Sequence, residues 1–278
     1  MTGPATDPIL TWLYVPGDRP EVIAKALHSG ADVVLVDLED AVAPRRKAYA
    51  LEATTELLSE PEPGPAPVHV RINALDGPLA HGELRALAGL PGLAGLRLPK
   101  VTDPAQIHEV AAWAPETPLY ALLESALGVE QAYAIASAHP AIEGLALGEA
   151  DLRADLGVTD DAGLAYPRSR AIVAARAAGL APPPQSVYPD VRDTEGLARS
   201  CATGRTLGFF GRTAIHPRQL PVIEQAYLPS PAEIESAEEI MKAAATDAGA
   251  LALPDGRFVD AAVVAGAQRT LALAHRQR

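Results

Sequence analysis

Residues 31–40 read ADVVLVDLED, a β-branched apolar run that ends in acids, and this run reads as a strand. Working outward, Gly30 stops a helix over 19–29, and before that helix a short apolar strand over 10–16 closes at Pro16-Gly17. On the other side come a helix over 45–59, a Pro-rich loop (PEPGPAP, 61–67) and the strand VHVRIN (68–73). The same alternation continues. Helix 79–90 leads to strand LRLPK (96–100), and helix 104–114, with Asp103 as its N-cap, leads to strand LYALLES (119–125). Helix 129–138 precedes a strand that begins IEGLALGEADL (142–152). Helix 167–178, strand SVYPD (186–190), helix 194–206, a strand within GRTAIHP (211–217) and a long helix over 234–245 follow. Short apolar strands alternating with helices imply parallel βαβ units, and eight such units in sequence predict a closed (β/α)8 TIM barrel. The competing open doubly wound sheet loses its dinucleotide version, because no GxGxxG lies between the first strand and the first helix. The barrel domain is expected over 1–249. Residues 250–278, with GALALPDGRFVD and a helical stretch over 261–274, are expected to be a C-terminal lid segment of the same domain.

The chain has 278 residues, 48% hydrophobic and 21% charged, which is the composition of a folded protein. A net charge of −12 and an aromatic content of 4% argue against nucleic acid as a partner, since neither a basic face nor stacking platforms can be assembled. No apolar run reaches the ~18–20 residues of a membrane span. The first 20 residues carry neither a basic n-region nor a small-residue cleavage site. The single cysteine, Cys201, excludes a disulfide framework and a multi-Cys metal site, so a cytoplasmic location is expected, with Cys201 a small core residue.

In a barrel the C-terminal ends of the strands face the active site. Read in order, those ends carry Asp37, Glu39 and Asp40, then Arg71 and Asn73, Lys100, Glu124, Glu149 with Asp151, Asp190, and His216. Charges gathered on one rim are costly unless they pair or bind something. Oxygen donors without Cys or a His cluster favour Mg²⁺, with Mn²⁺ as a substitute, over Zn²⁺. Glu124 and Asp151, on neighbouring strand ends, are the candidate ligands. The plainer alternative is that these acids pair with Arg71 and Lys100 in a structural network, and that His216 is a hydrogen-bonded residue and no ligand. Strand alternation sends Asp40 away from Asp37 and Glu39 unless the strand has already ended.

LYVPGDRPE, VDLEDAV, VRIN, LPK, LLES, GEADL, IHPRQ and DGRFVD occur in this order, and together they resemble the citrate lyase β-subunit-like branch of the HpcH/HpaI aldolase family. The likeness runs from Trp12 to about Ala274. It implies a TIM barrel with Mg²⁺ and carbon–carbon lyase chemistry, or the reverse Claisen-type condensation, on a short hydroxyacyl-CoA thioester such as malyl-, citramalyl- or citryl-CoA, with accessory thioesterase activity. It also implies roles. Glu124 and Asp151 match the metal carboxylates, and Glu124 also borders the substrate. Arg71 matches the arginine that contacts the substrate oxygens. Tyr14 and Lys25 match positions that touch CoA. Glu39, Asp40 and Lys100 support the site, Lys100 as an ion pair with Glu39. Asp260 matches an aspartate that acts in proton transfer from a segment closing over a neighbouring subunit, so a homotrimer or hexamer is implied. The partners implied are an acyl-CoA and a small 2-oxo or hydroxy acid. Two departures stand out: Pro184-Gln185 replaces an Ile-Asp pair, and Asp260 is followed by Ala261-Ala262 in place of an Asp-x-Pro pattern. Other readings are a citryl-carrier lyase subunit active only in a citrate lyase complex, and a CoA-independent 2-oxo-acid aldolase. No lysine near the sixth strand end favours a Schiff base.

Overall fold

The structure is a computed structural model that describes residues 8–246, 251–252 and 256–277. These fall into two compact units, Ile9–Glu224 and the residues from Gln225 onward together with Pro8. The domain boundary expected at 249/250 falls on residues outside those described, as do residues 253–255 of the expected lid.

The first unit is a TIM-barrel-type fold. Its parallel strands are β1 (Thr11–Pro16), β2 (Val33–Asp37), β3 (Val68–Arg71), β4 (Leu93–Leu98), β5 (Leu119–Leu123), β6 (Ile142–Leu147) and β7 (Arg212–Ala214). They lie in the order β6-β5-β4-β3-β2-β1-β7, so the chain winds in one direction around the sheet. The helices between them are α1 (Pro20–Leu27), α2 (Lys47–Leu58), α3 (Ala80–Leu87), α4 (Pro104–Trp113), α5 (Ala126–Glu130), α6 (Ala132–Ala136), α7 (Glu149–Leu156), α8 (Ala165–Ala177) and α9 (Thr194–Leu207). All five residues of β2 are buried, as a strand covered on both faces requires. Asp103 caps α4 as expected, in a reciprocal capping box with Gln106. Inside the sheet His69 stacks on Tyr120 with ring centroids 4.7 Å apart. The rings fit because β4 and β6 present glycine there: a Cβ on Gly95 or Gly144 would come within 2.9 or 2.8 Å of the Tyr120 ring.

Two expected elements are corrected. The strand over 186–190 does not form. Between β6 and β7 the chain makes one parallel bridge, Gln185 to Arg212, and the Ser186 hydroxyl donates to the Leu147 carbonyl at the end of β6. The reason lies in the sequence: Pro182, Pro183, Pro184 and Pro189 have no N–H to give a ladder. The helix expected over 129–138 is two short helices that meet at Gln131. Two further helices had not been expected, α7 and α10 (Leu220–Tyr227).

In the second unit α11 (Pro231–Thr246) packs on α12 (Ala261–Ala274), the latter with the bounds expected. Leu251 and Ala252 pair antiparallel with Val259 and Phe258. Among the described residues no helix is long and apolar enough to cross a membrane.

Candidate active site

The C-terminal ends of the strands open into a cavity of about 790 Å³. Asp37, the last residue of β2, and Arg71, the last of β3, stand in register and form a two-pronged pair, Nε to Oδ1 at 2.7 Å and Nη2 to Oδ2 at 2.6 Å. Asp37 is itself held by the N–H groups of Glu39 and Ala41, both at 2.9 Å. Because β2 ends at Asp37, alternation stops there, and Arg71 Nη1 reaches Glu39 at 3.0 Å and Asp40 at 3.4 Å as well. Burial opposes the Arg71 charge, but Tyr14, Asp37 and Glu39 outweigh it and raise the guanidinium's pKa. Lys100 Nζ holds the other Glu39 oxygen at 2.8 Å. The structural network weighed for these acids therefore exists for Asp37, Glu39 and Asp40.

It does not extend to Glu124 and Asp151. Both line the cavity, and neither has an ion-pair partner among the described residues. Glu124 follows β5 and accepts the Lys100 N–H at 2.9 Å. Lys100 makes that bond from a left-handed backbone, φ 53°, an uncommon conformation for a side-chain-bearing residue. Asp151 is corrected in position: it lies in the first turn of α7 and not on the strand end. Burial first, then repulsion from Glu39 and Asp151, pushes the Glu124 carboxyl up to about 7, against the pull of Arg71. A buried carboxylate raised by neighbouring carboxylates is what a divalent cation would relieve. Gly148 makes room for it, since a Cβ there would overlap the Glu124 carboxyl group. No cluster of three or more His, Cys, Asp or Glu ligands occurs among the described residues. Two carboxylates without a cage suit Mg²⁺, which keeps several waters and substrate oxygens, and do not suit Zn²⁺ or Ca²⁺.

The other expected residues are placed as follows. Tyr14 stands in the cavity with its ring centroid 4.9 Å from the Arg71 guanidinium carbon, and burial, opposed by Arg71 and Arg97, raises its hydroxyl pKa. Lys25 is exposed on α1, outside the cavity lining. Asp260 is the N-cap of α12, its Oδ1 accepting from the N–H groups of Ala262 and Val263 at 2.9 Å. His216 is hydrogen-bonded as expected, Nδ1 accepting from Arg218 N at 3.1 Å. Cys201 is buried. The sequence reading missed Arg168, which clamps Glu149 at 2.8 and 2.7 Å, and the cavity arginines Arg97 and Arg212. Arg97 carried a visible signal, a charge between two leucines inside an apolar strand. A smaller cavity of about 450 Å³ beside the β1–α1 and β2–α2 loops gathers Arg19, Arg45 and Arg46.

The family model for HpcH/HpaI aldolase/citrate lyase matches residues 10–217, and one for a C–C bond lyase of the TIM-barrel fold matches 173–263. The chain is 37% identical over 277 residues to (3S)-malyl-CoA thioesterase of Cereibacter sphaeroides strain KD131, covering 96% of this chain and 95% of that protein. It is 34% identical over 283 residues to citrate lyase subunit beta of Leuconostoc mesenteroides subsp. cremoris, covering 95% and 93%. Its structure matches the crystal structure of CitE from Mycobacterium tuberculosis in complex with magnesium, acetoacetate and coenzyme A, with a TM-score of 0.85 and 34% identity over 96% of this chain and 98% of that one. The family model and these likenesses, each above 30% identity over nearly the whole chain, agree with the fold: the chain belongs to the HpcH/HpaI aldolase/citrate lyase family.

Proposed function

We propose that this protein is a Mg²⁺-dependent carbon–carbon lyase, or the reverse Claisen-type condensing enzyme, acting on a short hydroxyacyl-CoA thioester of the malyl, citramalyl or citryl kind. The observation that carries the reading is the division of charge in the cavity. The acids around Arg71 are paired, and Glu124 with Asp151 are left over, facing the space a substrate would fill. Glu124 and Asp151 would hold the cation. When bound, Mg²⁺ supplies Lewis acidity toward the oxo or hydroxy acid oxygens.

In the cleavage direction the substrate hydroxyl gives its proton to water in the cavity, and its oxygen becomes a carbonyl. The bond to the thioester α-carbon breaks, and the electron pair forms the thioester enolate. Arg71, fixed by Asp37 and Glu39, offers positive charge that does not have to reorganise as that oxyanion develops. Asp260 is assigned to protonate the enolate carbon, from an adjacent subunit of a homotrimer or hexamer. Its Oδ2 has no bond among the described residues, so capping α12 leaves one oxygen for chemistry. Attack of water on the thioester carbonyl, with the C–S bond breaking and CoA leaving as the thiol, would give the thioesterase reaction. CoA would lie along the rim. The Arg19, Arg45 and Arg46 cavity suits its phosphates, with Lys25 and Tyr14 as the further contacts proposed for it.

The test is a mass-spectrometric screen of glyoxylate, pyruvate and oxaloacetate against acetyl-CoA and propionyl-CoA with Mg²⁺. A hydroxyacyl-CoA from at least one pair is expected, and its cleavage on dilution. No product from any pair would overturn the autonomous lyase. Product only with an acyl-carrier protein would favour the second reading, a citrate lyase subunit, which the likeness to the Leuconostoc chain supports.

A further inference from the structure

Lys47 stands where a lysine destabilises a helix. It is the first residue of α2, at the end where free backbone N–H groups concentrate positive charge, and the first turn of α2 holds no acid to offset it. A residue that breaks a local rule in this way is expected to serve something beyond its own element. Its side chain turns away from the helix and directs all three ammonium N–H groups onto fixed oxygens. These are the Leu38 carbonyl at 2.7 Å, the Glu39 carbonyl at 2.5 Å and Asn73 Oδ1 at 2.8 Å. Asn73 is oriented in turn by the buried Glu83 of α3, whose two oxygens accept its backbone N–H, at 2.7 Å, and its side-chain amide. The Asn73 amide also donates to the Leu38 carbonyl at 2.9 Å. Lysine, asparagine and glutamate thus tie the tips of β2 and β3 to α2 and α3.

The two carbonyls matter because of what lies between them. They belong to the peptide planes on either side of the Glu39 Cα, so one ammonium fixes both backbone torsions of Glu39 and with them the direction of its side chain. The Glu39 carboxylate is buried and joins Arg71, at 3.0 Å, to Lys100, at 2.8 Å. Lys100 passes the constraint on, since its backbone N–H holds Glu124 at 2.9 Å. Lys47, Asn73 and Glu83 stand behind this set and do not line the cavity. We infer that Lys47 is a positioning residue, which acts through Glu39 to set where the Arg71 guanidinium stands relative to Lys100 and Glu124. Its consequence for turnover rests on the lyase reading, in which Arg71 faces the enolate oxygen and Glu124 holds the cation, so that their spacing must match one substrate.

The experiment compares the wild type with two variants. Lys47→Met keeps an unbranched stem and loses the ammonium. Lys47→Arg keeps the charge but spreads its N–H groups over a flat fork that cannot converge on the same three oxygens. Each is assayed with malyl-CoA and Mg²⁺ well below its melting temperature, so that only folded protein is compared. In both variants kcat should fall by about thirtyfold or more with KM within about threefold, because substrate still binds while the reacting groups are misplaced. Calorimetric Mg²⁺ affinity should fall by about tenfold, through Lys100 and Glu124. A lysine serving only the fold would lower the melting temperature and leave the kcat and Mg²⁺ affinity of the folded variants at wild-type values; that result overturns the inference. The arginine variant decides alone if the methionine variant does not accumulate. Failure of the lyase reading shows differently, as a wild type without turnover. Crystals of Lys47→Arg then decide the inference: Glu39 still in contact with both Arg71 and Lys100 overturns it, and loss of either contact supports it.

Discussion

Arg71 has its guanidinium locked in plane by Asp37, so the role proposed for it rests on its shape as well as its charge. Arg71→Lys is expected to cut turnover by about a hundredfold with Mg²⁺ affinity nearly unchanged, because an ammonium cannot hold Asp37 in a fork and face the substrate together. Steady-state kinetics beside metal titration checks this, and wild-type turnover in the lysine variant would reduce Arg71 to a structural role. Glu124→Gln and Asp151→Asn should each weaken Mg²⁺ by more than about tenfold and leave the fold intact; isothermal titration with circular dichroism reads both. His69 gives a pH prediction. Burial, with Arg97 nearby, lowers its pKa to about 3, so the folded state keeps it neutral while the unfolded chain protonates near 6.5. Its contribution to stability is therefore complete above 6.5 and is lost as pH falls toward 3, at about 1.4 kcal/mol per pH unit. His69→Phe should flatten that dependence, measured by denaturant melts between pH 6 and 4; parallel profiles would reject it. At this scale the sequence was legible wherever residue type and strand end coincide, as at Asp37, Arg71 and Glu124. Pairing was not legible. Nothing in the chain order says that Arg71 collects three acids while Arg97, its neighbour in register, has none.

Elements carry the site through their ends. Gly148 joins β6 to α7 and leaves the space that the Glu124 carboxyl group occupies. Gly148→Ala should displace that carboxylate and lower Mg²⁺ affinity by about tenfold or more, with a small change in melting temperature. A metal titration on the folded variant decides it, and unchanged affinity would show that Glu124 has another rotamer suited to the metal. The strands were readable because each is a short apolar run between turn residues. Helix α7 was not, because GEADL reads as the end of a strand until Gly148 is seen to stop it. The 186–190 segment misled for the opposite reason. Its composition suits a strand, but the prolines before and within it remove the donors a ladder needs.

On the scale of the whole molecule, the proposal that Asp260 serves a neighbouring subunit predicts complementation. Asp260→Ala and Arg71→Ala, each inactive alone, should recover activity when mixed under conditions of subunit exchange, since some sites then combine an intact barrel with an intact tail. Recovery is read by enzyme assay and exchange by native mass spectrometry; proven exchange without recovery would assign the tail to its own barrel or to no chemistry. The one-way winding of the fold was legible from strand and helix alternation alone, while the assembly was not, since an N-cap and a catalytic aspartate look alike in sequence. The sheet itself has an uneven construction. Six neighbouring pairs of strands are joined by ladders, whereas between β6 and β7 the intervening segment makes one parallel bridge, Gln185 to Arg212, and on the β6 side the Ser186 hydroxyl bonds the Leu147 carbonyl and the Glu149 N–H. Ser186, Val187 and Tyr188, which line the cavity, belong to this loosely tied stave. Substitutions there disturb no ladder, so under the proposed function a lineage can retune which acid fits by altering that wall while Glu124, after β5, and Asp151, in α7, stay in place.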